Sequence, residues 1–179
     1  MKKITLHDKT FELYIPHNEI IDSIKKIAVQ IKAETANEEP IFLSVLNGSF
    51  MFAADLMKYI DFNCQLSFVK LSSYEGTEST GKIHSLIGLN QNLAGKTVII
   101  LEDIVDRGVT LEHIVNTVSA LNPKQIKIAT MLYKPDAYEK DIKIDYIGLS
   151  IPNDFIVGYG LDYNELGRNY CDIYKIITY

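Results

Sequence analysis

Apolar and polar residues alternate with a period of two over residues 2–6 and again over 11–15, on either side of His7-Asp8-Lys9-Thr10, which predicts a β-hairpin. The period then lengthens. Over residues 16–33 the apolar positions Ile20, Ile21, Ile24, Ile27, Ala28 and Ile31 fall on one helical face, and the polar stretch 34–40 closes the helix. Residues 41–46 form a short continuous apolar run, the mark of a buried strand; 50–60 read as a helix and 66–71 as a strand. A polar loop over 72–82 and a further strand over 83–88 lead to Val98-Ile99-Ile100-Leu101, an apolar run with three β-branched residues that suits a strand covered on both faces. Leu111, Ile114, Val115, Val118 and Leu121 then give helical spacing over 111–121, and 125–132 predict a strand that Lys134-Pro135 stops. The remainder, 145–179, carries aromatics and short apolar runs punctuated by Gly158, Gly160 and Gly167. Strands alternating with helices predict an α/β fold: a mostly parallel central sheet flanked by helices, with a small hood built from the two irregular chain ends.

Composition narrows the class without changing the architecture. At 179 residues, 47% hydrophobic and 23% charged, the chain fits a single domain over 1–179 with a substantial core. A formal charge of −5 disfavours nucleic-acid and acidic-membrane partners, which call for a basic face. No apolar leader core follows Met1-Lys2-Lys3 and no run approaches the roughly 18 apolar residues of a membrane span, so the expectation is a cytoplasmic protein. Cys64 and Cys171 lack CxxC spacing or a neighbouring His and read as reduced structural thiols.

The chemistry concentrates where the central strand ends. Glu102, Asp103 and Asp106 follow the Val98 run within five residues, and Asp106-Arg107-Gly108-Val109-Thr110 make a tight turn into the 111–121 helix. Carboxyl ends of parallel strands are where open α/β sheets bind ligands. Free amides at the helix start welcome a phosphate, Gly108 lets the backbone approach it, and the Thr110 hydroxyl can cap or donate. Glu102 and Asp103 suit ribose hydroxyls or a hard cation such as Mg²⁺. Asn47-Gly48 form a second strand-to-helix turn able to hold an anion by the same argument. Lys134 ends a strand with an ammonium that can meet a carbonyl oxygen but not an amino group.

The stretch 98–111 resembles the phosphoribosyl pyrophosphate motif of type I phosphoribosyltransferases: an apolar strand, two acids, two apolar residues and Asp-Thr-Gly-x-Thr, with Arg107 here in place of the first Thr. Further motifs in family order over about 40–174, among them Gly158-Tyr159-Gly160-Leu161-Asp162-Tyr163-Asn164-Glu165, make the chain similar to the hypoxanthine-guanine phosphoribosyltransferases.

That resemblance implies a type I phosphoribosyltransferase fold and an Mg²⁺-dependent transfer from phosphoribosyl pyrophosphate to hypoxanthine and guanine. It implies that Asp106 to Thr110 hold the 5′-phosphate, with Asp106 also catalytic at the purine N7. Glu102 and Asp103 serve ribose and metal; Asn47, Gly48 and Arg168 serve pyrophosphate; Lys134, Phe155, Ile156 and Asp162 serve the base, with Asp162 near a second metal. Ser73 and Tyr74 match a lid, and a homodimer or homotetramer is the implied assembly. Asn47 replaces the family's usual Lys, which removes a side-chain charge from that turn while leaving its amides, and the Leu46-Asn47 peptide is one that can be cis in the family. Arg107 either adds a charge contact to the phosphate or points away while its amide serves. The second is favoured, since a long side chain cannot replace a short hydroxyl at the same spot. Competing readings are a xanthine-preferring enzyme and an RNA-binding regulator on the same fold; the latter needs a basic face that a chain at −5 does not advertise.

Overall fold

The computed structural model describes residues 2–72 and 85–177. Strands β1 (Lys3–Leu6) and β2 (Lys9–Ile15) form the predicted hairpin, tightened so that only His7 and Asp8 lie between them. Helix α1 (His17–Thr35) follows Pro16. It runs two residues past the expected end because Thr35 is buried and its hydroxyl donates to the Ile31 carbonyl at 2.8 Å.

The main sheet has six strands: β3 (Ile41–Leu46), β4 (Gln65–Ser72), β5 (Ser85–Ile87), β6 (Thr97–Val105), β7 (Gln125–Tyr133) and β8 (Tyr146–Ser150), in the order β5-β4-β3-β6-β7-β8. All neighbours are parallel except β4 and β5. Helix α2 (Phe50–Met57) leaves β3 and helix α3 (Val109–Ser119) leaves β6. Strands β9 (Ile156–Val157) and β10 (Ile173–Ile176) pair with the hairpin in a second sheet, β1-β2-β10-β9, which is the hood joining the two ends of the chain.

Three expectations are corrected. Strand β6 does not stop at Leu101; pairing with β7 continues through Glu102 opposite Thr130, Ile104 opposite Leu132 and Val105 opposite Tyr133, so the first two acids sit inside the ladder. The stretch from 145 onward does not belong wholly to the hood, because β8 adds to the main sheet beside β7. Helix α2 ends at Met57 rather than near 60, where Lys58, Tyr59 and Ile60 switch to bonds spanning three residues, to the carbonyls of Asp55, Leu56 and Met57. The polar segment with Ser73 and Tyr74 lies outside the described residues.

Alternating side chains of the parallel strands build two cores. Phe42, Ile99, Leu101 and Met131 pack with α1 and α2 on one side, while Ile41, Leu43, Val98 and Ile100 pack with α3 on the other. A smaller cluster of Leu6, Phe11, Val157 and Tyr174 holds the hood. Among the described residues no helix is long and apolar enough to cross a membrane. Phe42 is fully buried in the central layer. Phe42→Ala is expected to lower unfolding free energy by about 3–5 kcal/mol in urea denaturation; a loss below about 1 kcal/mol refutes its place in the core.

Candidate active site

The site begins where β6 runs out of apolar residues. Glu102 is 6% exposed, and burial together with the neighbouring Asp103 charge holds its carboxyl well above the usual range. Burial also raises Asp103 to about 6, against the opposing pull of the Ile104 amide, which donates to Asp103 Oδ1 at 2.8 Å, and of the Arg168 charge. Two shielded acids at one strand end are a donor set that a hard cation fits.

Asp103 meets the turn after β3, where Leu46-Asn47 is a cis peptide. A Cβ on Gly48 would stand 1.5 Å from Asp103 Oδ2, so only glycine admits the carboxylate there. The turn is braced from within: the Ser49 hydroxyl donates to the Val45 carbonyl at 2.6 Å and lies 2.6 Å from the Ser44 hydroxyl.

Beyond Val105 the chain turns through Asp106-Arg107-Gly108 into α3. Gly108 is the N-cap, left-handed at φ 81°, and the Tyr138 ring lies against it. The helix starts at Val109, two residues before the expected position, so Val109 and Thr110 occupy its first turn. Amides there have no partner within the helix. Glu102 to Leu111 line a cleft of about 390 Å³.

Lys134, 7% exposed, reaches back across the sheet to place Nζ 3.0 Å from Asp106 Oδ2 and 3.2 Å from Asn153 Oδ1. The Arg107 side chain turns outward to Glu139, with Nε at 3.0 Å and Nη2 at 3.3 Å from its two oxygens. Phe155 stays 47% exposed and is backed by Tyr163, edge-on at 5.8 Å and 87°, and by Phe11 at 6.2 Å. Ile156, buried, begins β9 directly after it.

The hood supplies the last contacts. Arg168 donates to the Gly160 carbonyl at 2.7 Å and pairs with Asp162 at 2.6 Å, and Asp162 also accepts the Glu165 amide at 2.8 Å. Asp162 is therefore engaged by the hood itself, and among the described residues no three acids, histidines or cysteines converge as a metal cluster. Gly160, at φ 94°, rides on the Gly48 carbonyl, where a Cβ would come within 1.9 Å. Buried Tyr159 fastens this loop to α2 by donating to Asp55 Oδ2 at 2.6 Å. Contacts thus chain Asp103 to Gly48, Gly48 to Gly160, and Gly160 through Arg168 to Asp162, while Lys134 joins Asp106 and Asn153 in a separate group. Asn153, Tyr159 and Asp55 were not legible beforehand, since each matters only through a partner far away in sequence. The paired glycines carried a weak signal, because each stands in a motif already singled out.

Residues 13–164 match the phosphoribosyl transferase domain family. The chain is 38% identical over 159 residues to the hypoxanthine-guanine phosphoribosyltransferase of Streptococcus pneumoniae, covering 88% of each chain. It belongs to the hypoxanthine-guanine phosphoribosyltransferases. Similarity to the enzyme of Bacillus subtilis is 36% over 171 residues, covering 94% of this chain and 95% of that one. A solved hypoxanthine phosphoribosyltransferase of Staphylococcus aureus superposes with a TM-score of 0.85 at 36% identity, covering 93% of this phosphoribosyltransferase and 91% of the other.

The raised Asp103 has a consequence for stability. Its folded-state value of about 6 lies above the ordinary 3.8, so its contribution to stability is whole below about pH 3.8 and lost as pH rises through 6. In chelator, Asp103→Asn is expected to be more stable than the parent at pH 8 by on the order of 2 kcal/mol, with the gap closing toward pH 4. Urea denaturation at the two pH values checks this, and a pH-independent difference refutes it.

Proposed function

We propose that this phosphoribosyltransferase moves 5-phosphoribosyl from phosphoribosyl pyrophosphate to hypoxanthine, and to guanine, giving IMP or GMP and pyrophosphate. The observation that carries this is the Lys134–Asp106 pair at 3.0 Å beside the phosphate turn. A 6-oxopurine presents an acceptor at O6 and a proton at N7 side by side. A cation next to a carboxylate complements that edge, the ammonium donating to O6 and the carboxylate taking the N7 proton. Exposed Phe155 offers its face for stacking, and Ile156 offers backbone groups to the rest of the ring.

In the transfer the anomeric carbon loses its bond to pyrophosphate and gains one to a ring nitrogen, with inversion and an oxocarbenium-like transition state. The Asp106–Thr110 turn holds the 5′-phosphate on the amides at the start of α3, with Gly108 giving the close approach and Thr110 its hydroxyl. Glu102 and Asp103 hold the ribose hydroxyls and receive Mg²⁺. When bound, that ion supplies positive charge to the leaving pyrophosphate. Asn47-Gly48 amides and Arg168 meet the same group, Arg168 by releasing Asp162. Asp162 then faces the base and the metal. The outward course of the Arg107 side chain favours its amide as the phosphate contact. The working enzyme is proposed as a cytoplasmic homodimer or homotetramer, on the family resemblance alone.

Two measurements test this reading. With Mg²⁺ and phosphoribosyl pyrophosphate, nucleotide should form from hypoxanthine and guanine; turnover with xanthine alone moves the assignment to that base, and none with any 6-oxopurine refutes it. Asp106→Asn is expected to lower kcat by about 10² to 10⁴ with donor affinity largely kept. Turnover equal to the parent removes Asp106 from proton transfer.

A further inference from the structure

Three consecutive residues in the β7–β8 connection, Tyr138, Glu139 and Lys140, grip the phosphate turn from its outer side. The Tyr138 ring lies directly on Gly108, where a Cβ would come within 2.5 Å of the ring carbon Cε2 and 2.9 Å of Lys140 Cγ. That ring is itself fixed: its hydroxyl donates to the Ile142 carbonyl at 2.7 Å and its edge meets Tyr133 at 5.5 Å. Glu139 accepts a two-pronged contact from Arg107, at 3.0 and 3.3 Å, and its amide donates to the Arg107 carbonyl at 3.4 Å. Lys140 Nζ stands 2.6 Å from the carboxylate of Glu112, which lies in the first turn of α3.

We propose that Tyr138-Glu139-Lys140 is a positioning clamp that presets the phosphate turn for the donor. The proposal rests on the assignment of that turn to the 5′-phosphate. Each contact acts on a different part of the turn. Glu139 fixes Arg107, the second residue of the turn, and it occupies a guanidinium that could otherwise swing toward the phosphate. Tyr138 seals the outer side of Gly108, leaving only the cleft side for a ligand. Lys140 neutralises a carboxylate that would compete with a phosphate for the positive end of the helix. Arg107 thereby acquires a role that a short hydroxyl residue could not fill: it is the handle by which a neighbouring loop holds the turn. A turn ordered before binding loses less freedom when the donor arrives, so the clamp acts on donor affinity rather than on the chemical step.

The test uses Glu139→Ala, Lys140→Ala, the double variant and Lys140→Arg in the full chain. Phosphoribosyl pyrophosphate affinity is read by titration calorimetry with Mg²⁺, and KM and kcat are read for both substrates. The double variant is expected to weaken donor binding and raise donor KM about three- to tenfold, as befits the loss of two partly exposed pairs. The hypoxanthine KM and kcat should stay within about twofold, and Lys140→Arg should restore donor affinity. High salt should shrink the gap to the parent, which a role in overall folding would not produce. Unchanged donor affinity in the double variant overturns the clamp. Tighter donor binding in Glu139→Ala also overturns it, since Arg107 once released would then be a direct phosphate ligand. Thr110→Ala separates this from the underlying assignment: if it weakens donor binding while the clamp variants do not, only the clamp fails, and if it too leaves donor binding unchanged, the phosphate assignment fails with it.

Discussion

At the carboxyl end of β6 three segments of the chain meet at two glycines, where no Cβ would fit. Gly48 lies against the Asp103 carboxylate and Gly160 lies against the Gly48 carbonyl, so the central strand, the turn after β3 and the hood loop stack in sequence. The rest of the site follows from this contact. It fixes Asp103 against the Asn47-Gly48 turn, and it brings Arg168, which donates to the Gly160 carbonyl, near enough for its charge to act on Asp103. The Tyr159–Asp55 bond holds the stack shut from the α2 side. Without the two glycines the hood would ride higher and its charges would lie away from the strand end.

The same closeness accounts for the electrostatics. Carboxylates packed against backbone lose water and are left with few cationic neighbours, which is why Glu102 and Asp103 both hold protons more tightly than exposed acids do. Other charges in the site are satisfied internally: Lys134 by Asp106, Arg168 by Asp162 and Arg107 by Glu139. The strand end thus combines two shielded acids with several ion pairs.

Much of this was legible along the chain. The Val98–Leu101 run, the acids after it and the Gly108 turn all express local rules: burial pattern, strand end and helix start. The hairpin and α1 were equally local, and their bounds moved by only a few residues. What escaped depended on pairing across long distances. The continuation of β6 through Glu102 needed the facing strand β7 to be known. Strand β8 carries Gly148 and Ser150 and so reads weakly, yet it sits flush against β7, with the Met131 carbonyl 2.4 Å from where a Gly148 Cβ would stand. Asn153 and the 138–140 segment lie in stretches whose composition names no element, and only the folded chain brings them to Lys134 and to the Arg107-Gly108 turn.

In the proposed base-binding role, one consequence of the Lys134–Asp106 pair concerns what the site refuses. A buried ammonium and its carboxylate are mutually satisfied before any base arrives, so entry of a base is an exchange with a threshold. A 6-oxopurine clears it by offering a partner to each member. A 6-aminopurine turns donors toward the ammonium and leaves it stranded in a place that water barely reaches, so the resting pair is the better state. In that role selectivity is stored in the ion pair, which is itself the competitor that every incoming base has to displace.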